Sequence, residues 1–184
     1  MSILNIFKKI KFFLDCMRDE TNKIFKCDIL FLCHDVDRNF KIDNKNFSPL
    51  LDSLIENLSE RGFICQTILY PISQAKNDES YNNPIIINRS FLIARIFSFL
   101  SKYFEFFKKF NKKQFFKKIL KRSSAKIIIT IGIDSDLIFT AKKEKVFVVE
   151  LFHFIGLTTL PKAYNWTNIN ENLLPDVVLA LDEI

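Results

Sequence analysis

The amino-acid sequence predicts an α/β fold in which helices cover both faces of a parallel sheet. From residue 27 onward, short continuous apolar runs alternate with segments of helical periodicity. The runs end in polar residues, which is typical of buried strands in parallel sheets. The chain has 184 residues, 48% of them apolar, which is enough for one domain with a sizeable core. We expect that domain to span residues 27–184, after an amphipathic N-terminal helix in residues 1–26.

The N-terminal residues have an amphipathic pattern and do not resemble a signal peptide. Charges at Lys8, Lys9, Lys11 and Asp15 interrupt the apolar core that a signal peptide needs. Two roles stay open for the predicted helix, which either packs on the domain or lies on a bilayer. Its broad apolar face contains Ile3, Ile6, Phe7, Ile10, Phe13, Leu14 and Met17.

Five apolar runs have the length of strands, and a sixth, shorter one is a candidate. The charged residues between 34 and 46 are predicted to form a loop after the first strand. The predicted strands are Cys27–Cys33, Phe63–Leu69, Lys126–Ile131, Val146–Leu151 and Val177–Leu181, with the short candidate at Ile85–Ile87.

A helix is predicted between the first two strands. Ser48 suits its N-cap, Pro49 suits its first helical position, and Gly62 suits its C-cap. A further short helix follows the third strand and is capped by Asp134 or Ser135. The buried face of the first helix is predicted to contain Leu50, Leu51, Leu54, Ile55 and Leu58.

The composition excludes two large enzyme classes and makes a cofactor in this chain unexpected. Only three glycines occur, Gly62, Gly132 and Gly156, so neither a G-x-G-x-x-G loop nor a phosphate-binding P-loop can form. Dinucleotide-dependent dehydrogenases with that loop and P-loop NTPases are therefore excluded. The four cysteines form no C-x-x-C pair and no metal-ligand spacing, so we expect reduced thiols and no metal site.

The net charge of +6 is concentrated in one segment. Residues 101–122 contain nine of the 27 basic residues and one of the 21 acidic residues, a local charge of +8. A long basic helical segment is predicted over about 90–122, with a kink or break near Asn111–Lys113 because the apolar stripe changes sides there. The first stripe contains Leu92, Ile96, Phe99, Tyr103, Phe107 and Phe110, and the second contains Phe115, Phe116, Ile119 and Leu120.

Two interpretations of the basic segment stay open, and nucleic-acid binding is the least favoured. It is either a solvated helical pair on the domain or a basic amphipathic hairpin on an anionic bilayer. Lysines outnumber arginines and no sequence-reading motif occurs, so we expect no nucleic-acid partner. The lysines predicted to contact the membrane are Lys108, Lys109, Lys112, Lys113, Lys117 and Lys118.

Polar residues at the carboxyl ends of the strands are the candidates for a binding site, because ligands of parallel sheets bind there. The candidate segments are His34–Arg38, Gly132–Ser135 and His153–Gly156. His34, Asp35, Asp37 and Arg38 could hold sugar hydroxyls, or a metal as in a metal-dependent carbohydrate deacetylase. Alternatively, they keep a strand end soluble and pair with one another.

His153 is the candidate catalytic residue, at the end of the fourth strand. Its imidazole could act as a base toward a hydroxyl nucleophile, because the ordinary pKa of histidine is close to neutral. The alternative is a packed histidine between Phe152 and Phe154.

The chain resembles a known family in the order of its segments. These are LFLCHDVDR, FSPLLDSL, IIITIGIDSDL, VFVVELFHFIGLT, YNW and LPDVVLALDE. Together they resemble bacterial surface-polysaccharide biosynthesis proteins, the GT-B glycosyltransferase-like proteins of capsule and O-antigen clusters. Relatives read E-L-Q-H-G where this chain has Glu150-Leu151-Phe152-His153-Phe154.

The resemblance implies a Rossmann-like amino-terminal half of a GT-B fold, which binds the acceptor and faces the membrane. It implies His153 as general base and a lipid-linked glycan as acceptor, at an anionic inner membrane on its cytoplasmic side. A nucleotide-sugar donor would bind a second half, which is absent after residue 184. We therefore expect a truncated or split protein that is inactive alone or that needs a separate donor-binding chain. The implied substrate-binding residues are His34, Asp35, Asp37, Arg38 and Glu150.

Two further functions stay open. One is a non-catalytic, peripheral membrane-binding or scaffold protein, and the other is the metal-dependent deacetylase.

Overall fold

A computed structural model describes residues 17–33, 38, 40–69, 80–131, 134–152 and 171–180. Six of its strands form one sheet, in the order β5-β4-β1-β6-β7-β8, and every neighbouring pair is parallel. The predicted parallel sheet is therefore confirmed. The strands are β1 (Ile29–Cys33), β2 (Phe40–Ile42), β3 (Lys45–Phe47), β4 (Cys65–Leu69), β5 (Ile85–Ile86), β6 (Ile127–Thr130), β7 (Phe147–Phe152) and β8 (Val177–Ala180).

Strands β2 and β3 form a separate antiparallel hairpin, where the sequence predicted a loop. Asp43 and Asn44 at its tip both have positive φ, 49° and 62°. Two such residues make the tight turn whose twist matches the twist of a hairpin. The prediction was wrong because the strands have three residues each and their side chains are mainly exposed, so they lack an apolar run.

Helices cover both faces of the sheet, as predicted. The described α-helices are α1 (Leu51–Glu60), α2 (Asn88–Leu100), α3 (Lys112–Ser123) and α4 (Ser135–Lys143), with 3-10 helices at Thr21–Lys23, Glu105–Phe110 and Glu171–Leu173. Side chains alternate between the faces of a strand, so β1 contributes to both cores. Phe31 packs in the core with Leu51 and Ile55 of α1. Leu30 packs in the core of the opposite face, which the other three α-helices cover.

The turn before helix α1 contains the capping residue that the sequence predicts, although the helix itself begins at Leu51 and not at Pro49. The Oγ of Ser48 accepts a hydrogen bond from the N–H of Leu51 at 3.2 Å, and its carbonyl accepts one from the N–H of Asp52 at 2.9 Å. Ser48 therefore satisfies the first orphan donor of the helix, as an N-cap does. At the other end, the N–H groups of Gly62 and Phe63 bond to the carbonyls of Ser59 and Leu58. This is a Schellman ending, and Gly62 holds its left-handed position with φ 90°.

The structure corrects the prediction of one long basic helical segment but confirms the break that was predicted near Asn111–Lys113. Helix α2 already ends at Leu100, and the 3-10 helix precedes α3. Asn111 is the N-cap of α3, because its side chain accepts a hydrogen bond from the N–H of Gln114 at 3.1 Å. The second predicted stripe is in the core, where Phe116 is fully buried.

The first predicted stripe of that segment lies mostly in solvent. Phe91 and Ala94 are the apolar side chains of α2 that are buried. The ring of Phe91 packs 6.0 Å from the ring of Phe116, so α3 closes against this side of α2. The members of the stripe that are exposed are Leu92, Ile96, Phe99, Tyr103 and Phe110.

Candidate functional site

The order of the strands reverses between β1 and β6, and this point is where a ligand crevice is expected. Strands that follow β1 in the chain extend the sheet first through β4 and β5, then on the other side from β6 to β8. In open parallel sheets, ligands bind outside the carboxyl ends of the strands at such a reversal. Cys33 and Thr130 end the two central strands. The segments that follow them were the first two candidate segments of the sequence.

The described residues include part of that candidate site. His34, Asp35, Asp37 and His153 lie outside them. Arg38 and Glu150 lie within them. The predicted catalytic and substrate-binding roles of all six residues stay predictions.

Arg38 is fully buried at the start of α1, in an ion pair. Its Nη2 lies 3.0 Å from Oδ1 of Asp52, and both side chains have no exposed surface. Its Nη1 donates a hydrogen bond of 3.0 Å to Sγ of Cys33, the last residue of β1. Burial by itself would lower the pKa of the Arg38 guanidinium, but the neighbouring Cys33 sulfur and Asp52 carboxylate raise it. Arg38 therefore stays charged and ties the segment after β1 to α1.

Asp52 is the centre of this buried cluster, and no pattern in the sequence marks it as a functional residue. Its Oδ2 accepts the backbone N–H of Ser48 at 2.7 Å, and its Oδ1 accepts Nδ2 of Asn82 at 2.9 Å. With Arg38, it connects the segment after β1, the first turn of α1 and the turn before β5. Asp52 follows the buried Leu51 in the first turn of α1. Only the buried guanidinium of Arg38 explains why a carboxylate occupies this position.

The turn that contains Asn82 is also attached to the hairpin. The backbone N–H of Tyr81 donates to the carbonyl of Asn46 at 2.9 Å, and its ring meets the Phe47 ring edge to face at 5.2 Å. Asn82 and Asn83 have positive φ, 56° and 41°, which asparagine tolerates better than most residues. The polar cluster around Asp52 therefore holds three separate chain segments beside the carboxyl edge of the sheet.

Glu150 is buried near the carboxyl end of β7, with 2% of its surface exposed. It is paired in register with Thr130 of β6, which is also buried. By strand alternation, both side chains belong to the face that α2, α3 and α4 cover. Glu150 is therefore a buried carboxylate near the carboxyl edge of the sheet.

The predicted membrane-contact lysines divide into two groups of three. Lys112 lies 2.7 Å from the carboxylate of Asp134, the N-cap residue of α4, and Lys117 lies 2.7 Å from Glu144. The hydrogen bond from Lys117 lowers the pKa of Glu144. Lys113 lies on the same side of α3, with its Nζ 4.2 Å from the centre of the Phe139 ring. These three lysines join α3 to α4.

The other three lysines face away from that seam. Lys108 pairs with Glu105 on the 3-10 helix at 2.8 Å, and both side chains are well exposed. Lys109 follows it and is exposed, and Lys118 is exposed on α3. Lys109 and Lys118 therefore remain available to an external anionic surface.

A large apolar surface is exposed on α2 and the 3-10 helix, and we call it the aromatic face. Tyr103 is 69% exposed and Phe106 is 66% exposed. Its rings pack against one another, and the ring centres of Phe106 and Phe110 lie 5.7 Å apart. Exposed apolar surface of this extent marks a contact with a partner or a membrane. The aromatic face consists of Leu92, Ile93, Ile96, Phe99, Tyr103, Phe104, Phe106 and Phe110.

The described residues contain no group of three or more potential metal ligands among His, Cys, Asp and Glu. Among the described residues, Cys27, Cys33 and Cys65 form no disulfide bond. Burial raises the pKa of the Cys27 thiol to about 12, so this cysteine is a packing residue and a poor nucleophile. Within the same part of the chain, no helix is long and apolar enough to cross a membrane.

Neither a protein-family model, a curated protein nor a solved structure matches the chain.

Proposed function

We propose that the chain is a peripheral membrane-binding, Rossmann-like domain whose aromatic face lies on an anionic bilayer. The observation that carries this proposal is the combination of the exposed rings of the aromatic face with exposed lysines next to them in the chain. Phe106 and Tyr103 expose about two thirds of their surface, and Lys109 lies beside them in the chain. Aromatic side chains suit the headgroup region of a bilayer, and each nearby lysine adds about 1 kcal/mol of attraction to anionic lipids.

Within that proposal, the domain is the acceptor-binding part of a glycosyltransferase-like protein of surface-polysaccharide biosynthesis. The family resemblance suggests this chemistry, and the Rossmann-like strand order with its reversal at β1 and β6 supports it. A lipid-linked glycan would then reach the carboxyl edge from the same membrane that the aromatic face contacts. His153 is the proposed general base, and a nucleotide-sugar would bind a separate donor domain at the cytoplasmic side of the membrane.

The membrane proposal is tested by sedimentation of the protein with lipid vesicles. Wild type should bind vesicles that contain 30% phosphatidylglycerol more tightly than pure phosphatidylcholine vesicles, and added salt should weaken that binding. Phe106→Ser should reduce the partition coefficient by about tenfold, because partial burial of a Phe side chain contributes roughly 1.5 kcal/mol. Lys109→Gln should reduce it by about fivefold on anionic vesicles only.

Phe40 provides a matched control. The exposed fraction of its side chain, 61%, is similar to the 66% of Phe106, but Phe40 lies on strand β2 of the hairpin. Phe40→Ser should leave vesicle binding unchanged. Equal losses in Phe40→Ser and Phe106→Ser, or a wild type that stays in solution with anionic vesicles at low salt, would show that the aromatic face is not the membrane surface.

The glycosyltransferase part has a separate test. The purified chain should show saturable binding of a short-chain, diphosphate-linked saccharide, and His153→Ala should retain that binding but abolish transfer in the presence of a donor domain. Sugar transfer by His153→Ala at the wild-type rate would contradict its role as the base.

A further inference from the structure

A groove beside the aromatic face has the shape and charge of a lipid site. It lies between α2, α3 and the 3-10 helix Thr21–Lys23, and its volume is about 280 Å³. Its walls include Ile93, Ala94, Phe97 and Ile119. The volume is close to the lower end of small-molecule pockets, which suits a headgroup with part of one acyl chain.

Two cations stand at the rim of this apolar groove. Lys118 and Arg122 are one helical turn apart on α3, so their side chains can reach the same anion. Neither forms an ion pair with a described acidic residue, and no carboxylate of the described residues lines the groove. Arg122 donates one hydrogen bond to the carbonyl of Asn22 at 3.2 Å, and a guanidinium has five N–H donors. The rim can therefore still hold a phosphate group.

The groove opens onto the proposed membrane surface. Ile93 and Phe110 line the groove and belong to the aromatic face, where they are 43% and 42% exposed. A lipid chain could therefore enter from the bilayer without crossing a polar barrier. On the opposite side of α3, Lys112 and Lys117 are engaged with the acids of α4, so the two sides of this helix differ in function.

We propose that this groove binds one anionic phospholipid, with its phosphate on Lys118 and Arg122 and an acyl chain on the apolar wall. This inference rests on the proposed membrane binding and adds a specific lipid site to it. The other candidate occupant is the N-terminal segment of the chain, which precedes the groove residue Thr21 in the sequence. Its lysines Lys8, Lys9 and Lys11 have the same sign of charge as the rim, so charge complementarity favours the phospholipid.

The test uses the full chain and a phospholipid that stays monomeric, so that no bilayer is involved. Dihexanoyl phosphatidic acid below its micelle concentration should bind with one site in isothermal titration calorimetry. Lys118→Gln and Arg122→Gln should each weaken the binding about tenfold, because each removes a charge-assisted hydrogen bond. Lys121→Gln, on an exposed position of the same helix that does not line the groove, should change it less than twofold.

Several outcomes would overturn the lipid site. If dihexanoyl phosphatidylcholine binds as tightly as dihexanoyl phosphatidic acid, the cations Lys118 and Arg122 do not select an anionic lipid. If inorganic phosphate binds as tightly as dihexanoyl phosphatidic acid, the apolar wall does not hold an acyl chain. Binding that appears only in Ile6→Asp/Ile10→Asp would identify the N-terminal segment as the occupant. Phe106→Ser should bind vesicles more weakly but should bind monomeric dihexanoyl phosphatidic acid as tightly as wild type. Failure of the groove proposal and failure of the membrane proposal therefore give different results.

Discussion

Replacing Asp52 by Asn tests whether the buried ion pair holds the carboxyl edge of the sheet together. The wild-type carboxylate accepts hydrogen bonds from Arg38 at 3.0 Å, Ser48 at 2.7 Å and Asn82 at 2.9 Å. The variant keeps the side-chain size but leaves the Arg38 charge buried without its anion. It also points an NH₂ group either at the Ser48 N–H or at the donors of Arg38 and Asn82.

The expected loss is about 4 kcal/mol of the free energy of unfolding. Removing one partner of a buried ion pair costs about 3–5 kcal/mol, against a total stability of roughly 5–15 kcal/mol for a typical domain. With a urea dependence of about 2 kcal/mol per molar, the unfolding midpoint should fall by about 2 M. Equilibrium urea unfolding, followed by circular dichroism, measures this shift.

Two further variants separate the ion pair from other effects of the substitution. Glu105→Gln removes an exposed ion pair with Lys108 and should change the stability by less than about 0.5 kcal/mol. Adding Arg38→Met to Asp52→Asn should recover part of the loss, because the buried charge is then absent. An Asp52→Asn protein within 1 kcal/mol of wild type would refute the assignment of Arg38 and Asp52 as a structural centre.

Two other predictions concern backbone strain and pH. Lys145 follows α4 in the left-handed region with φ 60°, in the same Schellman arrangement that Gly62 occupies after α1. In urea unfolding, Lys145→Gly should raise the free energy of unfolding by about 1 kcal/mol, and Gly62→Ala should lower it by a similar amount. Changes of the opposite sign would contradict this account. Burial by itself would raise the pKa of Asp19, but hydrogen bonds from Thr21 and Ser90 lower this pKa below its ordinary value of 3.8. The ionised carboxylate therefore stabilises the fold above pH 3.8. This stabilisation is lost as the pH falls through the lower pKa of the folded state. Urea unfolding of Asp19→Asn from pH 7 to pH 2.5 should therefore show a deficit that shrinks below about pH 4, and a deficit that is independent of pH would contradict it.

The local sequence determined much of the fold of this protein. Patterns within about ten residues predict the apolar runs of the strands, the capping residue Ser48 before α1 and Gly62 at its end. Continuous apolar runs, capping side chains and a glycine in the left-handed region act through neighbouring backbone groups, so they can be predicted without knowledge of distant contacts.

The tertiary structure decided which of the remaining patterns is buried and which polar groups meet. Asp52 and Asn82 are 30 positions apart, and their meeting with Arg38 depends on the turn before β5 lying beside α1. The apolar stripe of α2 has helical spacing, but α3 covers the side with Phe91, and so the stripe became the aromatic face. Periodicity identifies an apolar stripe on a helix, whereas only the packing of other elements decides whether that stripe meets the core or the solvent.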